Sequence, residues 1–295
     1  MATVAENLQA IIDIKEDIKE AIIAKGVSVA DSDSFSTYAG KISEIQSEIT
    51  MNCEELTTLE SCWYNIPINN ITLLNTNNIT NMHSTFYGSG LKSINSDIVT
   101  TNVINMRYMF NGCSITSVPL FDTSNVTDMS YMFRWCELLT SVPQFDTSNV
   151  TNMNSMFYSC DKLTTIPQFD TSNVTDMYGM FHYCDSLTTI PQLNASNVKK
   201  VWYMFRYCDK LTNFGGLVNI GQAFSNTENY NYHRFELYDS PLTYQSCMNV
   251  INNLYDVTLV NVNDATLTLS TYSYSLLSPE DIAIATNKGW IVESA

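Results

Sequence analysis

"FDTSNVTDMSYMFRWCELLTSVPQ", Phe121 to Gln144, recurs with few changes as "FDTSNVTNMNSMFYSCDKLTTIPQ" from Phe145 and as "FDTSNVTDMYGMFHYCDSLTTIPQ" from Phe169. A catalytic pocket needs unlike residues converging on one point, whereas close repetition lays like residues in rows, so the repeat speaks first of architecture. Aligned on the Asn-Val/Ile-Thr signature and its variants, the pattern gives six units starting at Leu74, Ile98, Phe121, Phe145, Phe169 and Leu193, the second one residue short. A period of 20 to 29 residues is that of a leucine-rich-type solenoid, in which each coil buries its apolar face only by stacking on its neighbours.

Within one unit, Leu139, Val142 and Phe145 with Pro143 predict a short extended segment, the strand of the coil. Asp146, Thr147, Ser148 and Asn149 are turn and cap residues whose short polar side chains bond nearby backbone groups. Val150, Met153, Met156 and Phe157 then recur at i, i+3, i+6 and i+7, which predicts a short helix on the opposite side of each coil. The fold class expected is therefore an α/β solenoid of parallel short strands and short helices, its six coils running about 30 Å at a strand spacing of roughly 4.8 Å. Val, Met, Met, Phe, Cys, Leu and Ile or Val recur because the interior is the same at every level.

The flanks read differently. Residues 1–50 form an N-terminal helical segment for attachment or oligomerisation: Glu6 to Lys25 lacks glycine and proline, Leu8, Ile11, Ile14, Ile18 and Ile22 supply its apolar stripes, and Gly26 ends it. Isoleucine along the seam leans towards a homotrimer. Residues 51–73 echo the repeat and form an N-terminal cap coil, 74–216 hold the six repeats, and 217–295 form a C-terminal α/β cap. In that cap "PLTYQSCMNVINNLYDV" predicts an amphipathic helix, "ATLTLS" a strand, and "SPEDIAIATNKG" a helix opened by a capping box and closed by Gly289.

Thirty acidic against fourteen basic residues give a formal charge of −16, which repels phosphate backbones and anionic membranes, so nucleic acid is not an expected partner. No stretch has the length of a membrane span, and the first residues lack the basic start and apolar run of a secretory signal, so neither membrane insertion nor export by that route is expected. Cys113, Cys136, Cys160, Cys184 and Cys208, spaced 23, 24, 24 and 24 apart, mark the repeat and predict a column of buried free thiols. The aspartate rows Asp122, Asp146, Asp170 and Asp128, Asp176 offer oxygen ligands for calcium, but turn roles explain the first row and Asn152 interrupts the second. His83, His182 and His233 lie far apart in sequence with no triad partner and no phosphate loop, so no catalytic residue, no cofactor and no metal site is expected, and the chain is not read as an enzyme.

What varies between coils is more informative. Arg134 and Trp135, then Tyr158, then Tyr178, His182 and Tyr183, then Trp202, Tyr203, Arg206 and Tyr207 occupy positions outside the core pattern. A surface without a task carries Lys, Glu and Ser, whereas rings with arginine make hot spots and sugar-stacking platforms. The competing reading is that these rings cover the outside of the coils and pack on one another.

The segments from Asp122 to Met129, with Met132, Phe133, Cys136, Leu139, Pro143 and their counterparts, resemble the BspA-like leucine-rich repeats of bacterial surface proteins, and the resemblance covers residues 74 to 216. It implies adhesion, either on a bacterial cell surface or in a protein of the bacteriophages infecting such bacteria. "IKEDIKEAIIAKGV" with "SFSTYAGKI" resembles the attachment segment of gut phage structural proteins. Together these imply a non-enzymatic appendage on the phage particle, a fibre or decoration protein of head or tail. Its N-terminal helices would hold other virion proteins and its solenoid a host cell-surface protein or glycan. The alternatives are a bacterial cell-surface adhesin and a structural protein with no ligand.

Overall fold

The computed structural model describes residues 15–20, 22–23, 49–95, 97–225 and 233–295. A single chain of parallel bridges runs through the repeat, Thr58 to Asn81 to Asn105 to Asp128 to Asn152 to Asp176 to Lys200, one per unit. The backbone around it alternates its donors. Met129, Tyr131, Phe133 and Trp135 send their N–H groups to the carbonyls of Asn152, Asn154, Met156 and Tyr158 in the next unit, while Met132, Arg134 and Cys136 bond three residues back to Met129, Tyr131 and Phe133. Every N–H thus has a partner, half of them in a neighbour, which satisfies the demand that buried backbone be paired.

This pattern corrects the expected helix. No helix forms over Val150 to Phe157; the segment is a run of turns that reverses twice through the left-handed region, at Ser155 (φ 51°) and Ser159 (φ 54°). A helix would spend all its N–H groups internally and leave none for the neighbouring unit. Consecutive turns closed at i−3 place Met153, Met156 and Phe157 inward at the same spacing a helix would. The same two positions are left-handed in every unit from Ser61 and Asn65 to Tyr203 and Tyr207.

The extended segment pairs more sparsely than expected. Strand pairing is confined to the ends: β1 (Ile49–Asn52), β2 (Asn70–Leu74) and β3 (Ser93–Ile94) form one parallel sheet. Near the other end β4 (Thr189–Ile190) pairs with β6 (Asn213–Phe214), and β5 (Leu193–Asn194) with β7 (Leu217–Val218). In the middle units Pro143 and Pro167 remove a backbone donor. The following glutamines replace it, Gln144 Nε2 donating to Gln168 O and Gln168 Nε2 to Gln192 O, both at 2.6 Å.

The polar letters of the repeat are also accounted for. Asp122 and Asp146 cap a turn by accepting from the N–H and hydroxyl of Ser124 and Ser148, as Asp170 accepts from the Ser172 N–H. Thr123, Thr147 and Thr171 hydroxyls donate forward to Asp146 O, Asp170 O and Asn194 O. Asn125, Asn149 and Asn173 amides donate backward to Thr101 O, Ser124 O and Ser148 O. Asp128, Asn152 and Asp176 each accept the N–H two residues on, a role either side chain fills, which explains the Asp/Asn exchange.

The core consists of rows. Phe86, Phe110, Phe133, Phe157, Phe181 and Phe205 stack face to face at centroid distances of 5.5 to 5.7 Å, each pair worth about 0.5–1.5 kcal/mol beyond the area it buries. The thiols of Cys136, Cys160, Cys184 and Cys208 are free and buried, each donating to a phenylalanine carbonyl of the preceding unit at 3.0–3.1 Å. Residues 15–20 and 22–23 are helical, with Ile18 and Ile22 buried in this same core.

Beyond the repeats, β8 (Arg234–Leu237), β9 (Thr266–Leu269) and β10 (Ile291–Ser294) form a parallel sheet in the order β10-β9-β8. Helix α1 (Tyr244–Asn253) starts at Thr243, whose side chain accepts from Ser246 N, and buries Cys247, Val250 and Ile251. Short α2 (Thr271–Ser275) and then α3 (Pro279–Thr286) follow, the latter opened by the Ser278/Asp281 capping box. Gly289, at φ +84°, turns the chain into β10 where a Cβ would meet Thr258 Cγ2 at 2.9 Å. Among the described residues no helix is long and apolar enough to cross a membrane.

Candidate recognition surface

Because successive units lie in register, residues at one repeat position form a row about one strand spacing apart. Four such rows carry the candidate residues: Arg134, Tyr158, His182, Arg206; Trp135, Ser159, Tyr183, Tyr207; Asn154, Tyr178, Trp202; and Tyr131, Ser155, Gly179, Tyr203. All ten candidates fall in one network. Tyr158 meets His182 at 4.7 Å and Tyr183 at 5.7 Å; Tyr183 stacks on Tyr207 at 4.5 Å. Tyr178 packs edge-on against Trp202 at 6.0 Å, and Trp202 lies 4.0 Å from Tyr203, which meets His182 at 5.7 Å.

The arginines are held between rings. The Arg134 guanidinium lies 4.1 Å from the Trp135 ring and 4.6 Å from Tyr158; that of Arg206 lies 4.6 Å from Tyr203 and 4.9 Å from Tyr207. Such contacts are worth about 0.5–2 kcal/mol, more as water is excluded. Arg206 also donates to the Tyr207 hydroxyl at 3.1 Å. His182, 8% exposed, is kept neutral: burial first, then Arg206 and Arg134, lower its pKa to about 4. Most of these rings are half-buried against each other, as the packing reading expects, but Trp135 and Tyr183 remain 42% and 38% exposed.

Local backbone sets this display. Trp135, Tyr183, Tyr203 and Tyr207 all have φ between 57° and 61°, where an L-residue pays about 1 kcal/mol or more. The ring stacks and the inter-unit N–H bonds hold them there. At Gly179, φ +56°, a Cβ would make only ordinary contacts, 3.4 Å to Ser155 Oγ and 4.0 Å to Tyr158 Cδ2, so the left-handed backbone rather than crowding is what suits glycine there.

The network extends further than the candidates. Arg107 sits over Tyr108 and Tyr131 at 5.0 and 5.4 Å, Tyr108 stacks on Tyr131 at 4.5 Å, and Tyr64 stacks on Tyr87 at 4.6 Å. Arg107 and Tyr108 were legible as the same non-core positions in the unit starting at Ile98. Trp135 also walls a hollow of about 520 Å³ with Glu137, Leu138, Gly112, Cys113 and Ser114. Two positions beyond the Trp135 row runs an acidic one, Glu137, Asp161, Asp185 and Asp209; burial, then Asp185 and Glu137, raise the pKa of Asp161.

Of the candidate attachment residues, Leu8, Ile11 and Ile14 lie outside the described residues. Ile18 and Ile22 are buried within the chain itself, leaving Ile23 exposed at 47%.

A family described as "Mycoplasma protein of unknown function, DUF285" matches residues 51–142 and 134–233, well over half of the chain, and the protein belongs to that family. The match is consistent with a BspA-like repeat protein. No curated protein and no solved structure matches it.

Proposed function

We propose that this chain is a non-enzymatic recognition module: a leucine-rich-repeat-like solenoid presenting its aromatic–arginine strip to a host cell-surface protein or glycan. The observation that carries the reading is the convergence of all ten variable residues, with Arg107 and Tyr108, into one continuous surface network. Rings and guanidiniums are the groups that dominate binding hot spots.

The N-terminal segment is the proposed attachment device, holding other virion proteins, with a homotrimer as its favoured assembly. The resemblance of residues 14 to 27 and 34 to 42 to phage attachment segments supports a virion appendage. The family description, a Mycoplasma protein, favours a second reading, an adhesin on a bacterial cell surface.

Labelled full-length protein incubated with candidate host cells should bind saturably and be competed by unlabelled protein. Absence of saturable binding would leave a structural spacer with no ligand. Immunogold electron microscopy separates the settings: label on phage particles supports the appendage, and label on the bacterial envelope alone overturns it in favour of the adhesin.

A further inference from the structure

The least compensated charge of the strip is Arg134. Among the described residues no carboxylate lies within ion-pair distance of its guanidinium, and no hydroxyl or carbonyl accepts a hydrogen bond from it. Its Nε is buried without a partner between the rings of Trp135 and Tyr158. Arg206, by contrast, sits in the field of Glu236 and Asp239. A guanidinium presents a planar fork of donors matched to a carboxylate, and holding it between two rings fixes that fork in advance.

Resting on the recognition reading above, we propose that Arg134, Trp135 and the adjoining hollow form a binding site for a carboxylate-bearing saccharide. The carboxylate lies on the Arg134 guanidinium, and the apolar face of a sugar ring lies on exposed Trp135. Glu137, exposed on the wall of the hollow, accepts from sugar hydroxyls.

Two features choose this occupant over others. The backbone N–H groups of Tyr131, Phe133 and Trp135 are already bonded to the next unit, so an extended peptide finds no free edge to pair with. The acidic row bordering the strip repels a densely charged polyanion, while its carboxylates suit a ligand rich in hydroxyl donors with sparse acid groups.

Isothermal titration of the full-length protein with a trisaccharide carrying a single uronic acid tests this, against the methyl ester of the same trisaccharide and against a hexaglutamate peptide. The acid form should bind, and the ester at least tenfold more weakly. Arg134→Gln should weaken the acid form about tenfold or more, since a hydrogen bond to a charged group is worth that much, and Trp135→Ala about as much by removing the stacking face, whereas Lys199→Gln, which removes an exposed charge outside the strip, should change it less than threefold. Equal binding of acid and ester, unchanged binding by Arg134→Gln, tighter binding of hexaglutamate, or no binding of the acid form would each overturn the proposal. Should Arg134→Gln fail to fold, the acid–ester comparison on the unmodified protein still decides. Saturable cell binding without saccharide binding would overturn this site and leave the recognition reading standing.

Discussion

The backbone N–H of Tyr207 donates to Oδ2 of Asp239 at 2.7 Å, at the repeat position where Trp135, Ser159 and Tyr183 donate to the carbonyls of Tyr158, His182 and Arg206. A side chain from the C-terminal cap thus supplies the acceptor that a further unit would have given. Glu236 is buried nearby at the same end of the stack, and burial raises the pKa of both carboxylates. The end of the ladder is closed by chemistry rather than by mere coverage.

Asp239→Ala removes that acceptor and should cost about 1–3 kcal/mol, the penalty of an unsatisfied donor, whereas Asp239→Asn keeps an oxygen in place and should cost less than half as much. Urea unfolding of the full-length protein checks it. Equal losses would show that the carboxylate does not terminate the ladder.

Ser159 distinguishes turns from helix by sign. At φ 54°, Ser159→Gly should be neutral or slightly stabilising, while Ser159→Val, with a β-branched side chain in the left-handed region, should cost about 1–2 kcal/mol. In a helix the order reverses, glycine being worse than valine. Thermal melting of the pair decides between them.

The contrast shows what the sequence revealed and what it concealed. Rows of Val, Met, Phe and Cys were legible because an identical interior at every level writes identical letters. The turns were misread because Val150, Met153, Met156 and Phe157 keep the same spacing whether the chain closes i−4 or i−3 bonds. Gly179, aligned with Ser155 and Tyr131, and Gly112, aligned with Trp135 and Ser159, carried the missing signal, since glycine recurring at a repeat position marks positive φ. The roles of Thr147 and Asn149 were hidden for another reason: their partners, Asp170 O and Ser124 O, lie 23 and 25 residues away.

The candidate surface was legible as residues but not as a network. Variation outside the core picked out its ten members. The sandwiching of Arg134 and the neutrality of His182 depend on contacts between units that no single unit displays.

His182 gives the strip a pH dependence. Its folded pKa of about 4 lies below the ordinary 6.5, so the unfolded chain takes up its proton first as pH falls. Stability from this group is complete above about pH 6.5 and is lost towards pH 4, by roughly 3 kcal/mol at most. His182→Tyr, which copies Tyr158 in the same row, should flatten the melting temperature between those values. An unchanged slope would mean His182 is not buried neutral.

The thiols of Cys136, Cys160, Cys184 and Cys208 are buried and their pKa values are raised, chiefly by that burial. A thiol reagent at pH 8 should modify them only at the rate of unfolding. Disulfides among them by mass spectrometry, or rapid labelling of the native protein, would contradict the column.

The central claim is that the strip, and not general stickiness, makes contact with the target. Trp135→Ser, Tyr183→Ser and Trp202→Ser combined place at each position a residue the repeat already carries, at Ser159 or Ser130. A control combines Leu120→Ser, Leu259→Ser and Tyr272→Ser, removing side chains exposed by 66%, 69% and 58% outside the network. Measured by saturation binding to host cells, the strip variant should lose at least tenfold in affinity while the control binds like the parent. Equal behaviour of the two variants would contradict the claim.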